Sequence, residues 1–112
     1  MTTVSNAYNT KHDGDTIEQY KLRLKPQEIP LGHPDSRYYF NTQPYVATRS
    51  ALDAYGEGVI GSCLVYLQRQ ARAYKGLDYL QVFEDIEGKR SPLWFIDDGD
   101  GGATTALLPD DY

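Results

Sequence analysis

A single cysteine, a single tryptophan and a single methionine occur in 112 residues. No apolar run approaches the roughly 18 residues that a membrane span needs. With Cys63 alone, no intramolecular disulfide can form, and stability has to come from a packed core. The helical residues around Cys63 predict a small buried hydrophobe rather than a nucleophile, which would need a nearby base or cation. The opening "MTTVSNAYNTKHDGD" has neither the basic start nor the apolar stretch of a secretory leader, so the expected location is cytoplasmic.

Chemistry-bearing patterns are scarce as well. The two histidines, His12 and His33, lack the HxH or HxxxH spacing of a zinc site. Ser50 and Ser62 have no nucleophile-elbow context, and no GxxxxGK[ST] loop opens a helix. Glu84 and Asp85 alternate across a strand and cannot act on one bond. These absences predict a protein that is not an enzyme and has no catalytic residue, metal or cofactor.

What is present points to one folded domain. Hydrophobic residues make up 40% and charged residues 24%, and ten tyrosines supply large groups to bury. Residues 1–15 are polar and aperiodic and read as a flexible tail, leaving 16–112 as a single domain. The net charge of −5 is uneven. From Asp78 to the end, nine acidic side chains face only Lys89 and Arg90. That end repels phosphate backbones, which disfavours direct nucleic-acid binding through Arg69, Arg72 and Lys75, and it suits a basic protein surface.

Along the domain, Tyr20, Leu22 and Leu24 alternate with Gln19, Lys21 and Arg23, a half-buried strand ended by Pro26. The stretch "PQEIPLGHPDS" holds three prolines and a glycine and excludes regular structure. "RYYFNTQPYVATRS" is aromatic and β-branched, with Pro44 predicting an edge strand from Tyr45 to Arg49. Whether 26–45 is a binding loop stays open at this level.

Ser50 is placed to cap one main helix, whose stripe runs through Ile60, Leu64, Leu67, Ala71 and Tyr74 and is widened by Val59, Cys63 and Tyr66. Gly56, Gly58 and Gly61 weaken its first turns by roughly 1 kcal/mol each relative to alanine. Gly76 supplies the left-handed cap. A three-stranded meander follows: Leu80 onward, a turn at Glu87-Gly88-Lys89, Leu93 to Asp97, and Ala103 to Leu108. The expected fold is α+β, one main helix packed on an antiparallel sheet in the order β-β-α-β-β-β.

The closing "WFIDDGDGGATTALLPDDY" carries Asp97, Asp98 and Asp100 among glycines. A calcium loop needs a bidentate Glu at its twelfth position. Counted from Asp97, Asp98 or Asp100, that position is Leu108, Pro109 or Asp111, and the flanks read as strands. The stretch is therefore expected to be a hairpin, with Asp98-Gly99 and Gly101-Gly102 tolerating the chain reversal.

"PYVATRS", then a helix, then "DYLQVFE", then "PLWFIDDGDGGATTALLPDDY" resembles a small domain-of-unknown-function family of Gram-positive bacteria and their phages and plasmids. The resemblance covers Tyr45 to Tyr112 and is carried most by Leu80-Gln81-Val82-Phe83, Ile96 to Asp100 and Leu107 to Tyr112. It implies an α+β fold and a home in mobile genetic elements; the family has no assigned activity. The expected function is a non-enzymatic small acidic protein-binding module, a phage or mobile-element accessory protein acting on a host protein, for example as a defence-system inhibitor. Glu84, Glu87, Asp97, Asp98 and Asp100 are its expected partner-binding residues, meeting a basic surface. The alternative is a cation-dependent ligand binder or orphan enzyme built on the Asp97/Asp98/Asp100 turn.

Overall fold

In the computed structural model, which describes residues 16–112, alternating apolar positions build one six-stranded sheet. The expected tail at 1–15 lies outside the described residues, as does His12. The elements run β1 (Thr16–Ile17), β2 (Leu22–Leu24), β3 (Tyr45–Ala47), α1 (Arg49–Tyr55), α2 (Glu57–Tyr74), β4 (Leu80–Asp85), β5 (Leu93–Asp97) and β6 (Thr104–Leu107), with 3-10 turns at Glu18–Tyr20 and Pro109–Asp111. Across the sheet the strand order is β1-β2-β4-β5-β6-β3.

The α+β class holds, but three details of the expectation do not. First, the sheet is mixed. The β4-β5-β6 meander is antiparallel as expected, whereas β3 runs parallel to β6. These two strands are joined only through both helices and two other strands, so no hairpin dictates their relative direction.

Second, the first strand is broken. Lys21, in the left-handed region at φ 56°, ends a 3-10 turn and splits off β1, giving the order β-β-β-α-α-β-β-β. Third, the main helix is two helices, divided at Gly56 with φ 84° and ψ 156°, a conformation that glycine adopts at little cost.

The caps also differ from expectation. Thr48, not Ser50, caps α1 by accepting a hydrogen bond from the Ala51 amide at 3.2 Å. At the other end, Lys75 takes the left-handed position, and Gly76 follows at φ 113°. Gly76 is required for a second reason: a Cβ there would stand 2.4 Å from the Ser36 carbonyl oxygen.

The core lies between the helices and one sheet face. Ile60, Cys63, Leu64, Leu67 and Ala71 of α2 are buried as the stripe predicts, against Leu22, Leu24, Phe83, Leu93, Phe95 and Ala106 of the sheet. Edge-to-face contacts link Tyr66 to Phe83 and Phe83 to Phe95, with ring centroids 6.1 and 5.8 Å apart. Burying this many large side chains, at about 1.5–3 kcal/mol each, is the main stabilising term.

Candidate functional site

The five carboxylates expected to meet a partner are not one surface. Glu84 lies in the last residues of β4 and Glu87 in the turn that follows, whereas Asp98 and Asp100 lie in the β5–β6 hairpin, at the opposite end of β5. At about 3.3 Å per residue, five-residue β5 holds the two groups roughly 16 Å apart. Glu84 is already paired, its Oε1 2.7 Å from Arg23 Nη2 on the neighbouring strand, and Lys89 Nζ lies 3.9 Å from Glu87.

Asp97 does not face solvent at all. It is 3% exposed, and its carboxylate accepts hydrogen bonds from the Phe40 amide (3.0 Å), Thr42 Oγ1 (2.8 Å) and the Gly99 amide (2.8 Å). Residue alternation explains this. Asp97 shares the helix-facing side of β5 with the buried Leu93 and Phe95, so a carboxylate there needs internal donors. In place of a partner contact, it ties the Tyr38–Thr42 segment to the hairpin.

That segment is the part of the site that sequence patterning did not assign. Tyr38 exchanges two backbone hydrogen bonds with Leu77, each 2.9 Å. Phe40 is fully buried at φ 59°, and its carbonyl accepts from Gln68 Nε2 at 2.9 Å. A non-glycine residue held at positive φ is uncommon, and here bonds on both sides of it fix the backbone. The density of tyrosine in "RYYFNT" was the available signal.

The result is an open cleft of roughly 380 Å³ at the end of the sheet, with Arg37, Tyr38, Tyr39, Asn41 and Thr42 on one wall and Asp98, Gly99 and Asp100 on the other. Tyr39 is exposed, and Tyr38 packs edge-on against Tyr79 with centroids 6.4 Å apart. The Arg37 guanidinium lies 5.0 Å from the Tyr38 ring centre. Among the described residues, Asp98 and Asp100 are exposed and their carboxylates take part in no ion pair.

The hairpin itself forms as expected. Asp98 donates to the Ala103 carbonyl at 3.0 Å, and Gly99 and Gly101 both sit at φ 81°. Gly102 is needed because a Cβ would come 2.4 Å from Asp98 Cβ. No three His, Cys, Asp or Glu side chains among the described residues converge so as to hold a metal ion.

Two other carboxylates organise the fold. Asp85 accepts from the Glu87, Lys89 and Arg90 amides and from Arg90 Nε. Burial would raise its pKa, but the Glu87 amide, the Arg90 side chain and amide, and the Lys89 amide together hold it below its ordinary value. Arg90 also lies 4.4 Å from the Tyr55 ring centre and donates to the Tyr20 carbonyl at 3.0 Å. Asp111 accepts from Ser50, Thr48 at 2.7 Å and the Leu108 amide at 2.9 Å, which lower its pKa. Cys63 is fully buried, and that burial pushes its thiol up to about 12, so it is no nucleophile in the folded protein.

Comparison with protein-family models, curated proteins and solved structures finds no match for the chain. What fold and site define is therefore a class: an α+β domain with a preformed tyrosine-lined, acid-rimmed cleft. Among its described residues no helix is long and apolar enough to cross a membrane.

Proposed function

We propose that this protein is a non-enzymatic protein-binding module that receives a basic side chain of its partner in the cleft between Tyr38–Thr42 and Asp98–Asp100. The supporting observation is the buried Asp97 anchor, which holds an otherwise irregular loop beside two unpaired carboxylates. A preformed site avoids the ordering cost that weakens loop-mediated binding. The exposed Tyr39 ring beside two carboxylates suits a guanidinium or ammonium group, by cation–π attraction and charge-assisted hydrogen bonds, whereas the Tyr38 ring already carries Arg37. The reading narrows the expected surface from five carboxylates to Asp98 and Asp100. A role as a phage or mobile-element accessory protein acting on a host protein, and membership of the resembled family, belong to the same proposal.

The test uses a fluorescein-labelled peptide of eight residues rich in arginine and lysine, followed by anisotropy at low salt. Two double variants are compared, Asp98→Asn with Asp100→Asn, and Glu84→Gln with Glu87→Gln. Each removes the same two negative charges, so long-range attraction falls equally and any difference reports location. The first pair is expected to weaken binding at least about tenfold, the second less than about threefold. Equal losses, or a larger loss from the Glu84 and Glu87 pair, would refute the cleft.

A further inference from the structure

The hairpin between β5 and β6 carries a chemistry that binding does not use. The chain holds three Asp-Gly pairs: Asp13-Gly14, outside the described residues, and Asp98-Gly99 and Asp100-Gly101 in this hairpin. An aspartate followed by glycine is open to attack by its own backbone. The next amide nitrogen has no neighbouring side chain to keep it from the carboxyl carbon, and glycine lets the peptide rotate toward it. In a folded chain the attack requires that this peptide be free to move. Here the two hairpin pairs differ.

Gly99 is held on both sides. Its amide donates to Asp97 Oδ1 at 2.8 Å, and its carbonyl accepts from the Gly102 amide at 3.0 Å. Asp98 is fixed as well, its amide donating to the Ala103 carbonyl at 3.0 Å and its Cβ lying so close to Gly102 that no side chain fits there. The Tyr38 ring closes the remaining side, 3.7 Å from where a Cβ on Gly99 would stand. Gly101 has none of these restraints. Its amide donates to no acceptor among the described residues, a Cβ on it would meet nothing within 4 Å, and it and Asp100 are both exposed.

We infer that Asp100-Gly101 is a site of spontaneous conversion of aspartate to isoaspartate, from which the hairpin protects Asp98-Gly99. The Gly101 nitrogen attacks Cγ of the protonated Asp100 side chain. An N–Cγ bond forms, the Cγ–OH bond breaks, and the amide proton and the hydroxyl leave together as water, giving a cyclic imide. Solvent water then opens the ring. Addition at Cγ restores aspartate, whereas addition at the main-chain carbonyl carbon of Asp100 breaks its bond to nitrogen and leaves the chain running through Cβ and Cγ. Only water is consumed and released, and the net charge of −5 is unchanged.

The turn thereby gains one main-chain atom, and the carboxylate, now borne directly on Cα, loses a methylene of reach. The site itself stands on the hairpin geometry; its effect on binding rests on the cleft reading above. There, conversion withdraws one of two unpaired acids from the rim while leaving long-range attraction as it was. Recognition declines with the age of the molecule.

The test ages the full chain for weeks in mildly acidic buffer, folded and in guanidinium chloride. Proteolysis and electron-transfer fragmentation then distinguish isoaspartate from aspartate at each position. Cleavage after Arg90 leaves Asp98 and Asp100 in one peptide, so each is the other's internal standard. In the folded chain Asp100 is expected to convert at least about tenfold faster than Asp98, the factor that one or two net hydrogen bonds supply. In denaturant the two rates are expected to come within about threefold, because the restraints on Gly99 are gone. Equal rates in the folded chain, faster conversion at Asp98, or a folded Asp100 that stays intact while the unfolded one converts would each overturn the inference. A tenfold preference that persists in denaturant would overturn the protective role of the hairpin.

The aspartate and isoaspartate forms of the aged protein are then separated by chromatography and titrated with the labelled basic peptide. The isoaspartate form is expected to bind at least about threefold more weakly at the same net charge. Equal affinity of the two forms would overturn the effect on binding. Fresh protein that does not bind the peptide would refute the cleft instead, with conversion at Asp100 still decided by the fragmentation map.

Discussion

Replacing Asp97 with alanine separates an anchor from a partner contact. In the folded protein the carboxylate holds three donors, and they do not suffer equally when it goes. The Phe40 amide lies on a fully buried residue, so it is left without an acceptor at a cost of about 1–3 kcal/mol. Thr42 and Gly99 are half-buried and can turn to water, each losing half of an ordinary net bond, about 0.5 kcal/mol. No longer burying a carboxylate offsets part of this.

The balance is a loss of about 2–3 kcal/mol, or a Tm lower by roughly 10 °C for a domain of this size. Asparagine is not a conservative rescue. Whichever way the amide is turned, its NH2 faces the Phe40 or the Gly99 amide, so about half of the loss should remain. Urea unfolding followed by Trp94 fluorescence measures both variants. A loss below about 0.5 kcal/mol for Asp97→Ala would refute the anchoring role and return Asp97 to the surface.

Other consequences follow from the same geometry. Gly58→Ala and Gly61→Ala meet nothing within 4 Å and should stabilise the helix by about 0.5–1 kcal/mol each, whereas Gly76→Ala, 2.4 Å from Ser36, should destabilise strongly; thermal melts compare them. Asp85 and Asp111 have pKa values below the ordinary 3.8, so their contribution is complete above that pH and is lost as pH falls through the lowered values. Stability of the parent should therefore drop below about pH 4, and Asp111→Asn should flatten that acid limb in urea titrations against pH. Millimolar calcium or magnesium should leave the Tm unchanged, because saturable binding would raise it by mass action; a rise abolished by Asp100→Asn would contradict the hairpin reading.

The helix stripe, the meander and the aspartate hairpin were legible because each rests on local pattern: a 3.6-residue period, strict alternation, and glycines where φ turns positive. What escaped was non-local. The parallel pairing of β3 with β6 depends on where a long connection returns, which no window of residues records. The break at Gly56 escaped because the apolar stripe begins only at Val59, and a cap at Ser50 carries the helix back through glycines that weaken one helix as readily as they divide two. The three adjacent acids Asp97, Asp98 and Asp100 looked equivalent, yet alternation on β5 turns Asp97 inward while the hairpin leaves the other two in solvent. Likewise, Glu84 and Asp100 belong to one acidic half of the sequence but to opposite ends of the sheet. The role of Tyr38–Thr42 hangs on a buried bond to a residue more than fifty positions away.

The most direct test of the cleft is an amide correlation spectrum of the 15N-labelled protein, titrated with the same arginine- and lysine-rich peptide. Saturable shifts confined to the amides of 37–42 and 97–102, and screened by salt, are the expected result. Shifts that map instead to the Glu84–Arg90 turn, or that spread over the acidic surface without saturating, would contradict the claim that this protein recognises its partner through the Asp97-anchored cleft.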